Sequence, residues 1–355
     1  MRAVFLPGDR QTELRSVPKP RPGDGEVLIS LRAAGLCGSD LHMHYRPARA
    51  QRHGPIFGLV TSPEVVPGHE AAGVVAECGP RVRGLKPGDR VAVHHMAGCG
   101  YCVECRRGWD INCQQKWGVY GLDIAGAMED YMVARARDCV KVPANISFDE
   151  AAYYTCGAGT GYMALKRADL GVGDRVAVVG LGPVGLAAAW FALQFGAKVV
   201  GLDIVDSRRG FAGQLGPIEV CDPEDVQCLA HVRGATGGQG PSVVIESSGT
   251  APGRRLALEV AALRGRVVCV GFGDSDNLID LQATVIQKQL DVRGAWMFSL
   301  PDLQDMLDDV SSRELSVEGL ITGRYGVEDA ADAWQAFDRG QPGKSVLHWD
   351  DEDSP

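Results

Sequence analysis

Four cysteines fall within fifteen residues of this chain, at Cys99, Cys102, Cys105 and Cys113, in the spacing C-x2-C-x2-C-x7-C. The residues between them (GY, VE and RRGWDIN) are polar and give the loop no apolar core to fold on. Four thiolates this close can wrap one tetrahedral zinc at about 2.3 Å each, and a closed four-sulfur set leaves no open position, so such a zinc is structural. Reduced surface cysteines and an iron–sulfur cluster are the other readings of the spacing. The total of 11 cysteines is odd, and Pro7, Gly8 and Asp9 cut short the apolar run that a secretory signal needs. Metal binding is therefore expected rather than disulfides, together with a cytoplasmic location.

A chain of 355 residues exceeds one compact core, so two domains are expected. The net charge of -9 argues against a nucleic-acid partner. The first 150 residues read as short strands (AVFL, EVLISLRAAG, EAAGVVAECG, DRVAVHH). KPGD at 86–89 and GVGD at 171–174 are turn signals, each ahead of an apolar strand. From about Ala151 the pattern becomes strand–helix alternation. Strands are expected at Arg175–Val179, Lys198–Leu202, Ser242–Glu246 and Arg266–Val270, with a helix over Pro183–Phe195. That alternation predicts an α/β fold with a doubly wound parallel sheet. Val176–Ala197 carries no charge and is long enough for a membrane span, but it contains GLGPVG, so strand, turn and helix are expected there and no membrane partner. The acidic tail DDEDSP is expected to fray.

GLGPVG runs from Gly180 through Gly182, Pro183 and Val184 to Gly185, after an apolar strand and at the start of a helix. This is the context of a dinucleotide pyrophosphate site. Gly180 permits the tight turn, Gly182 lets the backbone approach the phosphates, and Gly185 lets helix and strand pack closely. KVVGLD then places Asp203 at the end of the next strand, where its carboxylate can bind both adenosine ribose hydroxyls and would repel a 2′-phosphate. NAD is expected over NADP.

Three further segments offer ligands: GLCGSDLH (Cys37, Ser39, Asp40, His42), PGHEAAG (His69, Glu70) and TCGAGTGY (Cys156). Each alone reads more readily as a buried cysteine or a satisfied histidine. In order with the four-cysteine loop and GLGPVG, however, they resemble the zinc-dependent medium-chain alcohol dehydrogenases over essentially the whole chain. The resemblance implies a catalytic zinc on Cys37, His69 and Cys156 with a fourth place for water or the substrate oxygen, hence two zinc ions per subunit. It implies that Asp40 orients His69, that Glu70 lies close to the metal, and that Ser39 contacts the substrate oxygen. It makes His42 the outer end of a proton relay through the cofactor ribose. Arg208 matches a basic position near the ribose. Val270 and Gly271 in VGFG, and Ala295 in RGAW, match stretches beside the nicotinamide. Trp296 fits a core role as well as a substrate-lining one.

By the same resemblance, residues 1–150 with 296–355 form a GroES-like β-barrel catalytic domain carrying the zinc loop 99–113, residues 151–295 a Rossmann domain, and the subunit a homodimer or homotetramer. The active site is expected in the cleft between the domains. Polyol-oxidising relatives often carry glutamate where Cys156 stands. Leu347 is read at the place of a pyrophosphate-binding arginine. His44 has no counterpart, and His94 and His95 are expected to be structural, in a strand. Arg46, Arg49 and Arg52 either form a solvated loop or receive a polar or anionic substrate. The activity implied is reversible NAD-linked oxidation of an alcohol (secondary, polyol or sugar-like) to a carbonyl. The alternatives are an NADPH-dependent ketone reductase, a zinc-dependent aldehyde-oxidising enzyme and a zinc-stabilised binding protein without turnover.

Overall fold

The computed structural model describes residues 1–48, 54–56, 59–115, 118–273 and 279–349, with the backbone alone at 54–56 and 59–61. Arg49 and Arg52 lie outside the described residues. In chain order the elements that matter here begin with strands β1 (Arg2–Gly8), β2 (Gln11–Ser16), β3 (Glu26–Gly35), β4 (Glu70–Cys78), β5 (Arg90–Val93), β6 (Tyr131–Arg135) and β7 (Cys139–Lys141), then helix α1 (Phe148–Tyr154). There follow β8 (Arg175–Val179), α2 (Pro183–Gln194), β9 (Lys198–Leu202), β10 (Ile218–Cys221), α3 (Cys228–Ala235), β11 (Val243–Glu246), β12 (Arg266–Cys269) and β13 (Asp291–Gly294). The chain ends with β14 (Ile321–Gly326), α4 (Ala330–Asp338) and β15 (Lys344–His348).

The chain divides into two compact units. The first comprises Met1–Cys156, Ser299–Gly340 and Lys344–Pro355, the second Gly157–Phe298 and Gln341–Gly343. In the first unit, a seven-stranded sheet runs β7-β5-β4-β3-β15-β14, with β6 also pairing β3. Its pairs are antiparallel except β14 with β15. The strands bury alternate or continuous apolar residues, among them Val27, Ile29, Leu31, Val91, Val93 and Leu347, in one core with Trp334 and Phe337 of α4.

The second unit is a six-stranded, all-parallel sheet in the order β10-β9-β8-β11-β12-β13. The order reverses between β8 and β11, the point at which open α/β sheets take their ligands at the carboxyl ends of the strands. The apolar stretch that could be mistaken for a membrane span becomes β8, a glycine turn and α2. Among the described residues no helix is long and apolar enough to cross a membrane. The two turn signals work through aspartate. The Asp89 side chain accepts from the Lys86 N–H at 3.0 Å, and that of Asp174 from the Gly171 N–H at 2.8 Å.

Candidate metal centres and cofactor site

The first unit brings Cys37, His69, Glu70 and Cys156 together, one donor atom from each lying within 4.8 Å of all the others. Three local devices aim them. Cys37 ends the loop after β3. His69 follows Gly68, whose φ of +91° no side chain tolerates well and where a Cβ would press on Met128. Cys156 follows α1, which opens on a capping box: Ser147 accepts from the Glu150 N–H at 3.2 Å, and Glu150 accepts from the Ser147 N–H at 3.1 Å. The other Glu150 oxygen takes Ser316 Oγ and the Val317 N–H, tying α1 to the returning chain.

The Cys37 and Cys156 sulfurs are 4.0 Å apart. Two thiolates on a tetrahedron with 2.3 Å bonds sit about 3.8 Å apart, so this spacing fits one zinc between them. His69 turns Nδ1 to Asp40 Oδ1 at 3.2 Å, which leaves Nε2 facing the sulfurs. Ser39 Oγ lies 3.2 Å from Cys37 Sγ and 3.3 Å from His69 Nε2, beside the ligand atoms. The Cys37 thiol is held well below its ordinary value by the hydrogen bond with Cys156 and by His69, against the opposing effect of burial. Burial pulls His69 down, but Asp40 and Cys37 together outweigh it and hold the imidazole above its ordinary range.

His42 is exposed, one helical turn beyond Ser39. His44 is fully buried with Nε2 4.0 Å from the Asp40 carboxylate, so Asp40 stands between two histidines. β5 ends at Val93, so His94 and His95 follow the strand rather than lying in it. His95 packs edge-on against the His69 ring with centroids 4.7 Å apart, and its Nδ1 has no hydrogen-bond partner among the described residues. Arg46 is committed elsewhere: it pairs at 2.6 Å with Asp338 of α4, which also takes Arg10.

Lys344 is the site residue that local pattern missed. It is fully buried, 2.6 Å from Glu70 and donating at 2.6 Å to the Leu36 carbonyl. Gly35 makes the room, because a Cβ there would collide with the Glu70 carboxylate. Burial still pushes Glu70 up to about 8, opposed by Lys344. The position expected to carry an arginine, Leu347, is a fully buried core residue of β15, and Lys344 is that strand's buried cation.

Cys99, Cys102, Cys105 and Cys113 form the second cluster, again within 4.8 Å of one another. Their sulfurs are 3.9 Å (Cys99–Cys105) and 4.0 Å (Cys102–Cys113) apart, the tetrahedral spacing once more. Backbone N–H groups of Cys99 and Cys102 point at the sulfurs of Cys113 and Cys99, both at 3.3 Å. The Cys102 thiol is lowered to about 6, first by the Cys105 N–H. Tyr101 and Trp109 lie exposed on the loop, which packs on its own cysteines.

In the second unit, Gly180 has φ +91° and a Cβ there would press on Ser248. Gly182 caps α2 with Pro183 in its first turn, and a Cβ at Gly182 would meet nothing within 4 Å. That open space lies at the N-terminus of α2, where helices receive phosphates. Val184 lies in the same first turn, and Gly185 packs against the Gly180 carbonyl and Ser247. Asp203 accepts the N–H groups of Leu181 at 2.7 Å and Val205 at 2.8 Å, which fixes its carboxylate at the end of β9. Arg208 lies 3.7 Å from it. Val270 and Gly271 both donate their N–H to the Glu246 carbonyl, and Ala295 donates to that of Cys269. Trp296 is 42% exposed and stacks with Phe272 at 6.3 Å, which rules out a core role for it.

Residues 23–144 match the family model for the alcohol dehydrogenase GroES-like domain, and residues 183–312 that for the zinc-binding dehydrogenase. The chain is 35% identical to the "uncharacterized zinc-type alcohol dehydrogenase-like protein YphC" of Escherichia coli K12, over 99% of both chains. It is 33% identical to an L-threonine 3-dehydrogenase of Klebsiella pneumoniae, over 95% of this chain and 96% of that one. Among solved structures, the alcohol dehydrogenase TADH from Thermus sp. ATN1 superposes with a TM-score of 0.87 at 30% identity, covering 98% of this chain and 99% of its own. The chain therefore belongs to the zinc-dependent medium-chain alcohol dehydrogenase family and is an oxidoreductase of alcohols.

Proposed function

We propose that the protein oxidises a polar secondary alcohol to a ketone, reversibly, with NAD and a catalytic zinc on Cys37, His69 and Cys156. The observation that carries this reading is the convergence of two thiols, one imidazole and the Ser39 hydroxyl at tetrahedral spacing. When bound, the zinc supplies a Lewis acid that lowers the pKa of the alcohol, and the nicotinamide supplies the hydride acceptor. The chain's own residues do the rest. Asp40 fixes the His69 tautomer so that Nε2 is the ligand atom. Ser39 Oγ holds the reacting hydroxyl and takes its proton, and His42 passes the proton to water at an ordinary working pH. Glu70 lies in the same cluster as Cys37, His69 and Cys156, and Lys344 holds its carboxylate. Cys99, Cys102, Cys105 and Cys113 take a second, structural zinc.

Asp203 supports NAD, because a 2′-phosphate beside a carboxylate already fixed by two N–H groups sets like charges together. Arg208, close to that carboxylate, favours a second reading with NADPH and a ketone. The substrate class rests on the L-threonine 3-dehydrogenase relative, whose name denotes oxidation of a secondary alcohol next to charged groups. β13 lies at the edge of its sheet with residues exposed, which supports self-association as a dimer or tetramer.

The test is a panel of secondary alcohols, polyols, sugars and hydroxy amino acids with NAD and with NADP, followed at the absorbance of the reduced nicotinamide. Turnover of a secondary alcohol at higher kcat/KM with NAD is expected. Higher kcat/KM with NADP would replace the cofactor assignment, and turnover undiminished in Cys37→Ala would remove the metal site.

A further inference from the structure

Cys221 and Cys228 belong to neither metal cluster. Cys221 is the last residue of β10, held in register opposite Leu202, and Cys228 is the first residue of α3. Their sulfurs are 2.6 Å apart, inside van der Waals separation and about 0.5 Å beyond a disulfide bond. The contact is set by backbone. In the connecting turn, Asp225 donates its N–H to the Asp222 carbonyl at 3.1 Å and Cys228 to that of Asp225 at 2.9 Å. The Asp222 and Asp225 side chains accept the N–H groups of Glu224 and Gln227. Among the described residues, the two metal-type clusters do not include this pair. Cys78 and Cys139 instead direct their thiols at backbone carbonyls.

We infer that Cys221 and Cys228 form a redox modification site that takes a low-molecular-weight disulfide and closes to an internal, reversible protein disulfide. Cys221 is half-buried and Cys228 only 3% exposed, so Cys221 is the sulfur a small reagent reaches. Its thiolate attacks RS–SR, forming Cys221–S–SR and releasing RS⁻. The Cys228 thiolate then attacks the Cys221 sulfur and expels the second RS⁻. Two protein thiols are oxidised, one small disulfide is reduced, and the two protons leave on two RSH. While both are thiols, their shared hydrogen bond holds Cys228 below its ordinary value and Cys221 above it, and burial adds to the rise at Cys221, so the first attack should quicken as pH rises. The turn that would be closed carries Asp222, whose carboxylate takes Arg209 at 3.1 Å, and Arg209 also donates to the Asp203 carbonyl at 2.7 Å. The modification thus lies one ion pair and one hydrogen bond from the backbone of Asp203, the residue whose carboxylate is assigned to the adenosine ribose.

The test uses the zinc-loaded full chain with oxidised glutathione as the probe. Remaining thiols are blocked by alkylation, the protein is digested without reductant, and zinc is measured alongside. A single cross-linked peptide joining Cys221 to Cys228 is expected, with the zinc retained and the thiols restored by dithiothreitol. In Cys228→Ser the reaction should stop one step earlier and leave glutathione on Cys221. Three results would each overturn the inference: both cysteines alkylated in full after oxidation, a stable glutathione adduct without closure in the wild-type chain, or a cross-link that forms first among the zinc-binding cysteines while zinc is still bound.

Discussion

In the first unit a buried lysine stands beside a buried glutamate. Lys344 and Glu70 are both fully buried, so each carries the full cost of leaving water and depends on the other to offset it. Lys344→Met should lower stability, read as a shift of the urea unfolding midpoint, and the loss should grow as pH rises past about 8, where the Glu70 carboxyl would otherwise ionise against Lys344. The double variant Lys344→Met/Glu70→Gln should recover much of that loss, because no charge is then left unpaired. Glu129 makes a second prediction at this scale. It is 4% exposed, and burial, with Asp130 next to it, raises its carboxyl to about 8. The folded state therefore binds this proton more tightly than the unfolded chain, and the contribution to stability is full below about pH 4.5 and lost as pH rises through 8. Glu129→Gln should be more stable than wild type by about 2–5 kcal/mol at pH 9, with the difference vanishing towards pH 5 in thermal scans. Neither residue was legible in the sequence. Lys344 reads as one more polar residue ahead of a strand until β15 lies beside β3 and puts it on Glu70. His95 likewise gains its meaning only when the loop after β5 folds against His69. Cys37, His69 and Cys156 were legible because each sits in a short motif and the motifs come in a family order, and not because any local pattern shows three distant donors meeting.

At the scale of elements, the glycine turn between β8 and α2 was readable almost to the residue. Its signals are local: an apolar β-branched strand, a glycine that needs positive φ, and a proline in the first helical turn. β8 and β9 occupy the segments expected of them, while α2 stops at Gln194, one residue before the expected end, as helix ends commonly do. Two of its glycines should separate folding from binding. At Gly185 a Cβ would overlap the Gly180 carbonyl and Ser247, so Gly185→Val should destabilise the second unit by more than about 1–3 kcal/mol. At Gly182 a Cβ has open space, so Gly182→Ala should leave the melting temperature unchanged while raising the KM for NAD about 10-fold by crowding the phosphates. A melting scan and a cofactor titration on both variants check this. The four-cysteine loop was legible for the opposite reason, since its spacing alone marks four thiols as candidates for one metal, and the fold brings them within 4.8 Å of one another.

For the molecule as a whole, the two cysteine clusters predict two zinc ions with separable losses. Elemental analysis should find two per chain in active enzyme. Cys37→Ala should retain one zinc and the fold but lose turnover, whereas Cys102→Ala should lose the other and unfold at lower temperature. One zinc or none in active wild-type enzyme would contradict the pair of sites. The strand order of the first unit carries a further consequence, for synthesis on the ribosome. β15, from the far end of the chain, lies in its sheet between β3 and β14. All six strands of the parallel sheet emerge before β15, so the second unit can close while the first still lacks an inner strand. At the usual pace of about 5–20 residues per second, β3 waits roughly 15–60 s for that partner with its Ala33–Gly35 end unpaired on one side, β6 having taken Glu26–Ser30 of the same edge. During this wait the nascent chain offers an open strand edge and a Glu70 without its lysine, and it is then that a chaperone would have something to hold.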